Sequence, residues 1–285
     1  MHFYCLTFAM ENTTCKICPR HCAPAQGSYG FCKARRGAES GTVCSNYGHI
    51  TSMALDPIEK KPIAMFRPGS VILSVGSYGC NMDCRFCQNH EISRGDGTMP
   101  YREYTPEELA EVAWRLHLEQ DNIGLAFTYN EPLVGYEFVR DTAKLVSEKG
   151  LVNVLVSNGQ ASLEVLEEII PYMDAMNIDL KAFTKEGYES LGGDLDTTMK
   201  WIENAHSRCH MELTSLIVPG LNDDPEEMDH EARWVASLDP EIPLHITRFF
   251  PRYRYTEGEP TDIDLMYRLR EVAQRHLRNV FLGNI

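Results

Sequence analysis

No stretch of the chain approaches the roughly 18 uninterrupted apolar residues needed to cross a bilayer, and the N-terminus shows neither the basic start nor the long apolar run of a secretory leader. Both absences point to a cytoplasmic protein with no membrane partner. Positive charge is also short. Twenty-seven Lys and Arg face 41 Asp and Glu, a formal net charge of −14. That leaves no basic footprint for non-specific nucleic-acid binding, so no nucleic-acid partner is expected. Small-molecule and protein substrates stay open. Internal repeats and low-complexity tracts are missing as well. What is present is a 285-residue chain, 43% hydrophobic and 24% charged, long enough for one large α/β domain with an appendage.

Cysteine, by contrast, is plentiful. Ten are present, an unusual number for bystanders in a reducing compartment. Cys15, Cys18, Cys22 and Cys32 form one set, Cys80, Cys84 and Cys87 a second, and Cys5, Cys44 and Cys209 stand alone. Such close spacing reads as metal ligation before disulfide formation.

Residues 1–69 read as an irregular, cysteine-rich extension. Its last part, Asp56-Pro57 to Pro68-Gly69, reads as a linker or a strap laid across the main domain. From Val71 onward short apolar runs alternate with amphipathic helical patterns, the signature of βα units on a parallel sheet, so residues 70–285 are expected to form the core domain. Strands are predicted at Val71–Val75, Ile123–Phe127, Val152–Val156, Ala175–Asp179, Met211–Ile217 and Leu244–Thr247, with a short last one at Val280–Leu282. Thr105-Pro106-Glu107-Glu108 predicts a capping box with Pro at the first helical position. Asp224-Pro225-Glu226-Glu227 repeats that logic, and Thr261-Asp262-Ile263-Asp264 opens the last helix. The expected fold class is α/β, a partial parallel (β/α)6-type barrel behind a cysteine-rich N-terminal extension.

Polar groups collect at the C-terminal ends of these strands: the cysteine loop, Thr128-Tyr129-Asn130-Glu131, Ser157-Asn158-Gly159, Asp179-Leu180-Lys181, and His245 through Arg248. Strand ends can be polar simply because they reach water. Parallel α/β barrels, however, gather their chemistry where the βα loops converge, and here five units coincide.

Cys80-Asn81-Met82-Asp83-Cys84-Arg85-Phe86-Cys87 is a C-x3-C-x2-C motif directly after a predicted strand. Three thiolates can hold three corners of a cubane iron–sulfur cluster and leave one iron free to chelate an amino acid. Gly76-Ser77-Tyr78-Gly79 lets the backbone bend into the loop. The competing reading is structural zinc on Cys80, Cys84, Cys87 and His90. Its usual paired knuckles are missing.

The triplet, its place after the first strand and Phe86 before the last cysteine resemble the radical S-adenosylmethionine (SAM) superfamily. Residues 71–282 resemble its pyruvate formate-lyase-activating-enzyme-like branch, and the chain more closely resembles the radical SAM enzyme of the AmmeMemoRadiSam system. That likeness rests on Cys15–Arg36, Asp56-Pro57-Ile58-Glu59-Lys60-Lys61-Pro62, Cys87-Gln88-Asn89, Thr128-Tyr129-Asn130-Glu131-Pro132, Asn177-Ile178-Asp179-Leu180-Lys181, Pro243 through Pro251, and Leu282-Gly283-Asn284. The resemblance implies a four-iron, four-sulfur cluster on Cys80, Cys84 and Cys87. It implies reductive cleavage of SAM to a 5′-deoxyadenosyl radical that abstracts hydrogen from a substrate not identified by sequence, with a one-electron reductant such as flavodoxin or ferredoxin as partner. A glycyl-radical-enzyme activase, modification of a small molecule or protein side chain, and a non-catalytic metal-stabilised binding module are the alternatives.

Site expectations follow residue by residue. Phe86 accompanies the cluster. Glu131 accepts from the SAM ammonium, unless it is a solvated loop residue. Ser157 and Asn158 hydrogen-bond ribose or carboxylate, or form an ordinary turn. Asp179 and Lys181 share one strand face, and the resemblance places that triplet near the SAM carboxylate, sometimes with a monovalent cation. An internal salt bridge is the other reading of the pair. His245 contacts SAM or substrate, or is a satisfied core histidine. Arg248 binds an anion or makes a rim salt bridge. Finally, Cys15, Cys18, Cys22 and Cys32 supply four thiolates for a second metal site. Zinc and an auxiliary iron–sulfur cluster both suit them, and redox use at the barrel tilts the choice toward iron–sulfur.

Overall fold

The computed structural model describes residues 14–285; Cys5 and the rest of the extension before Thr14 lie outside the described residues. The arm carries the short strands β1 (Arg35–Gly37), β2 (Thr42–Cys44) and β3 (His49–Ile50), then β4 (Ser52–Pro57). After β5 (Val71–Gly76) come helix α1 (His90–Ser93), β6 (Arg102–Glu103) and α2 (Pro106–Gln120). The alternation continues with β7 (Asn122–Phe127), α3 (Tyr136–Glu148), β8 (Val152–Ser157), α4 (Leu163–Ile169) and β9 (Ala175–Asp179). Helices α5 (Lys185–Ser190) and α6 (Leu195–Ala205) precede β10 (His210–Ile217), which leads through α7 (Pro225–Leu238) to β11 (Leu244–Arg248), α8 (Ile263–Ala273) and β12 (Val280–Gly283).

One eight-stranded sheet organises the fold, in the order β12-β11-β10-β9-β8-β7-β5-β4. Every pairing from β5 to β12 is parallel, and β4 adds to β5 antiparallel. This is the mixed α/β architecture with a mostly parallel sheet that the alternating pattern predicts. Each predicted strand is found with its ends within a residue, because a short apolar run closed by polar turn residues has few other ways to bury itself.

The two faces of the sheet differ. Leu73, Val75, Leu125, Phe127, Leu155, Met176 and Ile178 belong to the large core shared with the helices. Ile72, Ala126, Val152, Val154 and Ala175 belong to a separate small core on the opposite face, closed by Ile58 and Ile63. Ile58 and Ile63 come from the 57–70 segment, and both are fully buried. Burying each stabilises the fold by about 1.5–3 kcal/mol. Since strands as far apart in the sheet as β5 and β9 share one small cluster with these two side chains, the sheet curls around this segment. The strap is therefore internal: it floors the barrel. Its polar backbone is met in kind. Asn177 Nδ2 donates to the Pro62 carbonyl at 2.6 Å, and Glu212 accepts from the Ala64 and Met65 amides at 2.8–3.0 Å.

Two details differ from the sequence reading. Ser52–Pro57, expected as irregular, is a full edge strand. Met53 and Ala54 are exposed there while Asp56 is buried, so the usual burial of apolar over polar residues is inverted. The Thr105 capping box forms with both of its bonds. At Asp224 only the N-cap bond forms, because Glu227 turns away to accept from the Phe183 amide at 2.5 Å.

Candidate active site

β5 delivers the cysteine triplet through a tightly held loop. Tyr78 is fully buried and its hydroxyl donates to the Ser45 carbonyl at 2.8 Å. Gly79 has φ +94°, and a Cβ there would stand 2.5 Å from the Cys32 carbonyl oxygen, so no other residue fits. Asn130, at the end of β7, clamps the loop from above. Its Oδ1 accepts from the Ser77 amide at 2.9 Å, and its Nδ2 donates to the Tyr78 and Gly79 carbonyls at 3.2 and 3.1 Å. Next to it Tyr129 is held at φ +71°, a left-handed conformation costing a side-chain-bearing residue about 1 kcal/mol. Its carbonyl accepts from Asn89 and its hydroxyl donates to Asp56, which is also paired to the buried ammonium of Lys61 at 2.9 Å.

Cys80 Sγ receives two donors, the Met82 amide at 3.4 Å and Asn158 Nδ2 at 3.7 Å. Burial raises its thiol well above the usual range, with Glu131 adding to the effect. Cys84 is pushed up to about 11, again chiefly by burial, while the Lys181 ammonium pulls the other way. The Cys87 amide closes a turn on the Cys84 carbonyl at 3.2 Å. Among the described residues, no three Cys, His, Asp or Glu side chains stand at ligating distance from a common point.

Glu131 is not a solvated loop residue. It is 2% exposed; Oε1 accepts from Leu133 N and Ser157 Oγ, Oε2 from Asn158 N, all at 2.8–3.0 Å. Burial nevertheless lifts its pKa to about 7 against those three donors. Ser157 and Asn158 are buried too. Ser157 Oγ accepts from the Gly159 amide, and Asn158 joins Asn81, its Nδ2 donating to Asn81 Oδ1 at 3.0 Å. The ends of β7 and β8 are thus braced to each other and to the cluster loop. At the end of β9 the Asp179–Lys181 salt bridge forms at 2.9 Å. Burial opposes the Lys181 ammonium, but Asp179 and Cys84 hold its pKa above the ordinary value.

A loop after β11 reaches back over the triplet. Phe86 packs edge-on against Phe249 (centroids 6.2 Å apart), Arg254 pairs with Asp83 at 2.8 Å, and the His90 ring stacks on Tyr253. Among the described residues Arg248 makes no rim salt bridge; its Nε donates to the Thr261 carbonyl at 2.7 Å, and its guanidinium lies over Phe250. His245 is not brought to this group. It is 8% exposed, with Nε2 on Glu212 at 2.6 Å and its ring stacked on Phe281, so it belongs with the floor.

A family model for the radical SAM superfamily matches residues 74–232, which spans the triplet and the loops that brace it. The chain belongs to the radical SAM superfamily. Over 279 residues it is 38% identical to the uncharacterized protein MJ0808 of Methanocaldococcus jannaschii, covering 96% of this chain and 82% of that one. It is 24% identical to the pyruvate formate-lyase-activating enzyme of Clostridium pasteurianum over 200 residues, 68% and 80% of the two chains. These relatives put it with the activating-enzyme branch. Among solved structures it resembles a radical SAM methyltransferase from Sphaerobacter thermophilus, with TM-score 0.57 and 15% identity over 76% of this chain and 67% of that one.

SAM and an iron–sulfur cluster are the cofactors of radical SAM proteins, and the donor set around Cys80 fits a cluster thiolate. N–H groups aimed at sulfur are a main lever on such centres, and two are in place. The sequence did not reveal Asn130 and Asn81 as clamps, nor the Asp56–Lys61–Tyr129 group. The only available signal was asparagine recurring at strand ends, where a side-chain amide can satisfy loop carbonyls and amides together.

Proposed function

We propose that this chain is a radical SAM enzyme whose Cys80, Cys84 and Cys87 hold a four-iron, four-sulfur cluster. The observation that carries the reading is the convergence of the β7, β8 and β9 ends on that triplet: Asn158 touches Cys80 Sγ, Glu131 braces Asn158, and Lys181 lies in the field of Cys84. With SAM bound, the cluster supplies reductive cleavage of the sulfonium and hydrogen abstraction from a substrate.

The chain's own residues supply position and dryness. A carboxylate offers about four acceptor sites; three on Glu131 are used, which leaves one for the SAM ammonium. Asn158 and Ser157 hold that carboxylate toward the loop, Lys181 meets the SAM carboxylate, and Asp179 keeps it charged. Phe86 and the 249–255 loop exclude water from the triplet. The electron comes from a one-electron donor of the flavodoxin or ferredoxin kind. The activating-enzyme relatives favour a protein substrate, with a glycyl-radical-enzyme activase as the specific form.

Anaerobically reconstituted protein with dithionite should convert SAM to 5′-deoxyadenosine and methionine. Cleavage that survives in Cys84→Ala would overturn the assignment. A glycyl radical signal on a co-incubated partner would single out the activase form.

A further inference from the structure

The four N-terminal cysteines face one shared space, at spacings wider than a bound ion would set. Cys15, Cys18, Cys22 and Cys32 all line one cavity, with Ile17 and Val134 on its apolar side. Three of the four are no more than 9% exposed. The cavity measures about 10 Å³, close to the room one water-sized body takes, so a single ion suits it. On that ground a single ion is favoured over an auxiliary cluster.

The backbone around the sulfurs already has the form of metal knuckles. The His21 amide closes a turn on the Cys18 carbonyl at 3.2 Å, and the Gly30 amide donates to the Arg35 carbonyl at 2.8 Å on either side of Cys32. The second knuckle needs Lys33 at φ +63°, left-handed for a non-glycine residue, after a turn closed by Lys33 N on Gly30 O at 3.1 Å. Strain of this kind persists where the surroundings require it, and here it falls on the residue directly after Cys32. The Cys15 amide donates to the Cys22 carbonyl at 2.7 Å, which ties the first knuckle shut.

The same arm holds the cluster loop. The Cys32 carbonyl accepts from the Cys80 amide at 3.2 Å and lies against Gly79. Arg20 Nε donates to the Asn81 carbonyl at 2.5 Å, and its Nη2 to the Gly192 carbonyl at 2.6 Å, with its guanidinium flat on Phe31. So one knuckle residue bonds directly to the first cysteine of the central triplet, and a residue of the other knuckle bonds to the position after it.

We infer that Cys15, Cys18, Cys22 and Cys32 bind a single zinc-like ion as a closed tetrathiolate, and that this site fastens the loop carrying Cys80. Four thiolates saturate a tetrahedral ion, so the site is structural and takes no substrate. Each thiol gives up its proton as its sulfur–metal bond forms, with no change in oxidation state. The fastening half rests on the reading that Cys80 holds a cluster; the zinc half does not.

The test uses full-length protein with C80A/C84A/C87A, expressed with both zinc and iron supplied. Elemental analysis should find one zinc per chain and no acid-labile sulfide. In native protein all four arm thiols should resist alkylation until a chelator is added, and Co²⁺ exchanged into the site should give the visible bands of a tetrahedral tetrathiolate. Iron with sulfide in this variant would instead mean an auxiliary cluster, and free alkylation of the four thiols would mean no metal. Either result overturns the proposal. For the fastening, Cys22→Ser in the otherwise intact chain should lose zinc and release iron to a chelator about tenfold faster, the scale of a lost supporting shell. Stripping zinc from unmutated protein should do the same, which covers a variant that fails to fold. Unchanged iron retention and SAM affinity after zinc removal would sink the fastening.

Discussion

Glu131 carries an ionisable group into a place water does not reach and spends three acceptor sites on fixed donors. In Glu131→Gln one amide N–H₂ must face a group that donates, so the brace between β7 and β8 opens. Leaving a buried donor unmet costs about 1–3 kcal/mol; SAM affinity measured anaerobically should fall on the order of tenfold, with iron content near normal. Unchanged affinity would return Glu131 to a purely structural role. Glu231 makes a different prediction. It lies on α7 with 2% exposure, accepts from Ser215 Oγ, and burial pushes its pKa up to about 8 from an ordinary 4.5. The folded state therefore keeps a proton that the unfolded chain releases. Its contribution is fully present below pH 4.5 and is lost as pH rises toward 8, at up to about 1.4 kcal/mol per unit. Urea unfolding of Glu231→Gln at pH 5 and pH 8 should show a flatter decline than the unmutated protein. A parallel decline would mean that Glu231 is ionised in the fold.

The strap is the element whose chemistry is most concentrated in one residue. Burial opposes the Glu212 charge, yet His210, His245 and the Ala64 and Met65 amides hold its pKa down to about 2. The sign is opposite to that of Glu231: the strap's anchor is present above pH 4.5 and is lost as pH falls toward 2. Glu212→Gln should loosen residues 57–70 at neutral pH, seen as faster proteolytic cutting there, and should lower stability by about 2–3 kcal/mol, the worth of hydrogen bonds to a charged group. At the N-terminus of α2, Thr105→Ala removes the capping box and should cost about 1 kcal/mol, read from the urea midpoint. The capping signal was legible from sequence because its donors and acceptors lie within four residues, and the parallel strands were legible because each buries one local run. The strap's inward path was not legible. It depends on Asn177 and Glu212, which lie 115 and 148 residues away from the carbonyl and amides they meet. Nothing local tells a buried hydrogen-bonded strap from an exposed linker. The same distance hid the 249–255 loop over Phe86, whereas the triplet's spacing announced itself. His245 shows the converse: its place on a strand near the barrel mouth suggested chemistry, and a carboxylate on the next strand claimed its nitrogen.

At the scale of the whole chain, the cluster loop is a junction where the arm and the ends of three strands meet. Cys84→Ala should therefore remove iron at the triplet and abolish SAM cleavage while circular dichroism stays unchanged. The loop's backbone is held by Asn130, Glu131, Cys32 and Arg20, none of which needs the Cys84 sulfur. A collapse of secondary structure in that variant would show the loop to be organised by its cysteines instead. The floor of the barrel has a further consequence, for the order of biosynthesis. A ribosome emits Ala64 and Met65 long before Glu212, and contacts this far apart in sequence close slowly. The strap leaves the exit tunnel with two amides awaiting Glu212 of β10 and two isoleucines awaiting residues of β5, β7, β8 and β9, so chains halted before β10 carry an unfinished floor. The walls have to be raised before the floor can set, and a nascent chain depends on its surroundings for that interval.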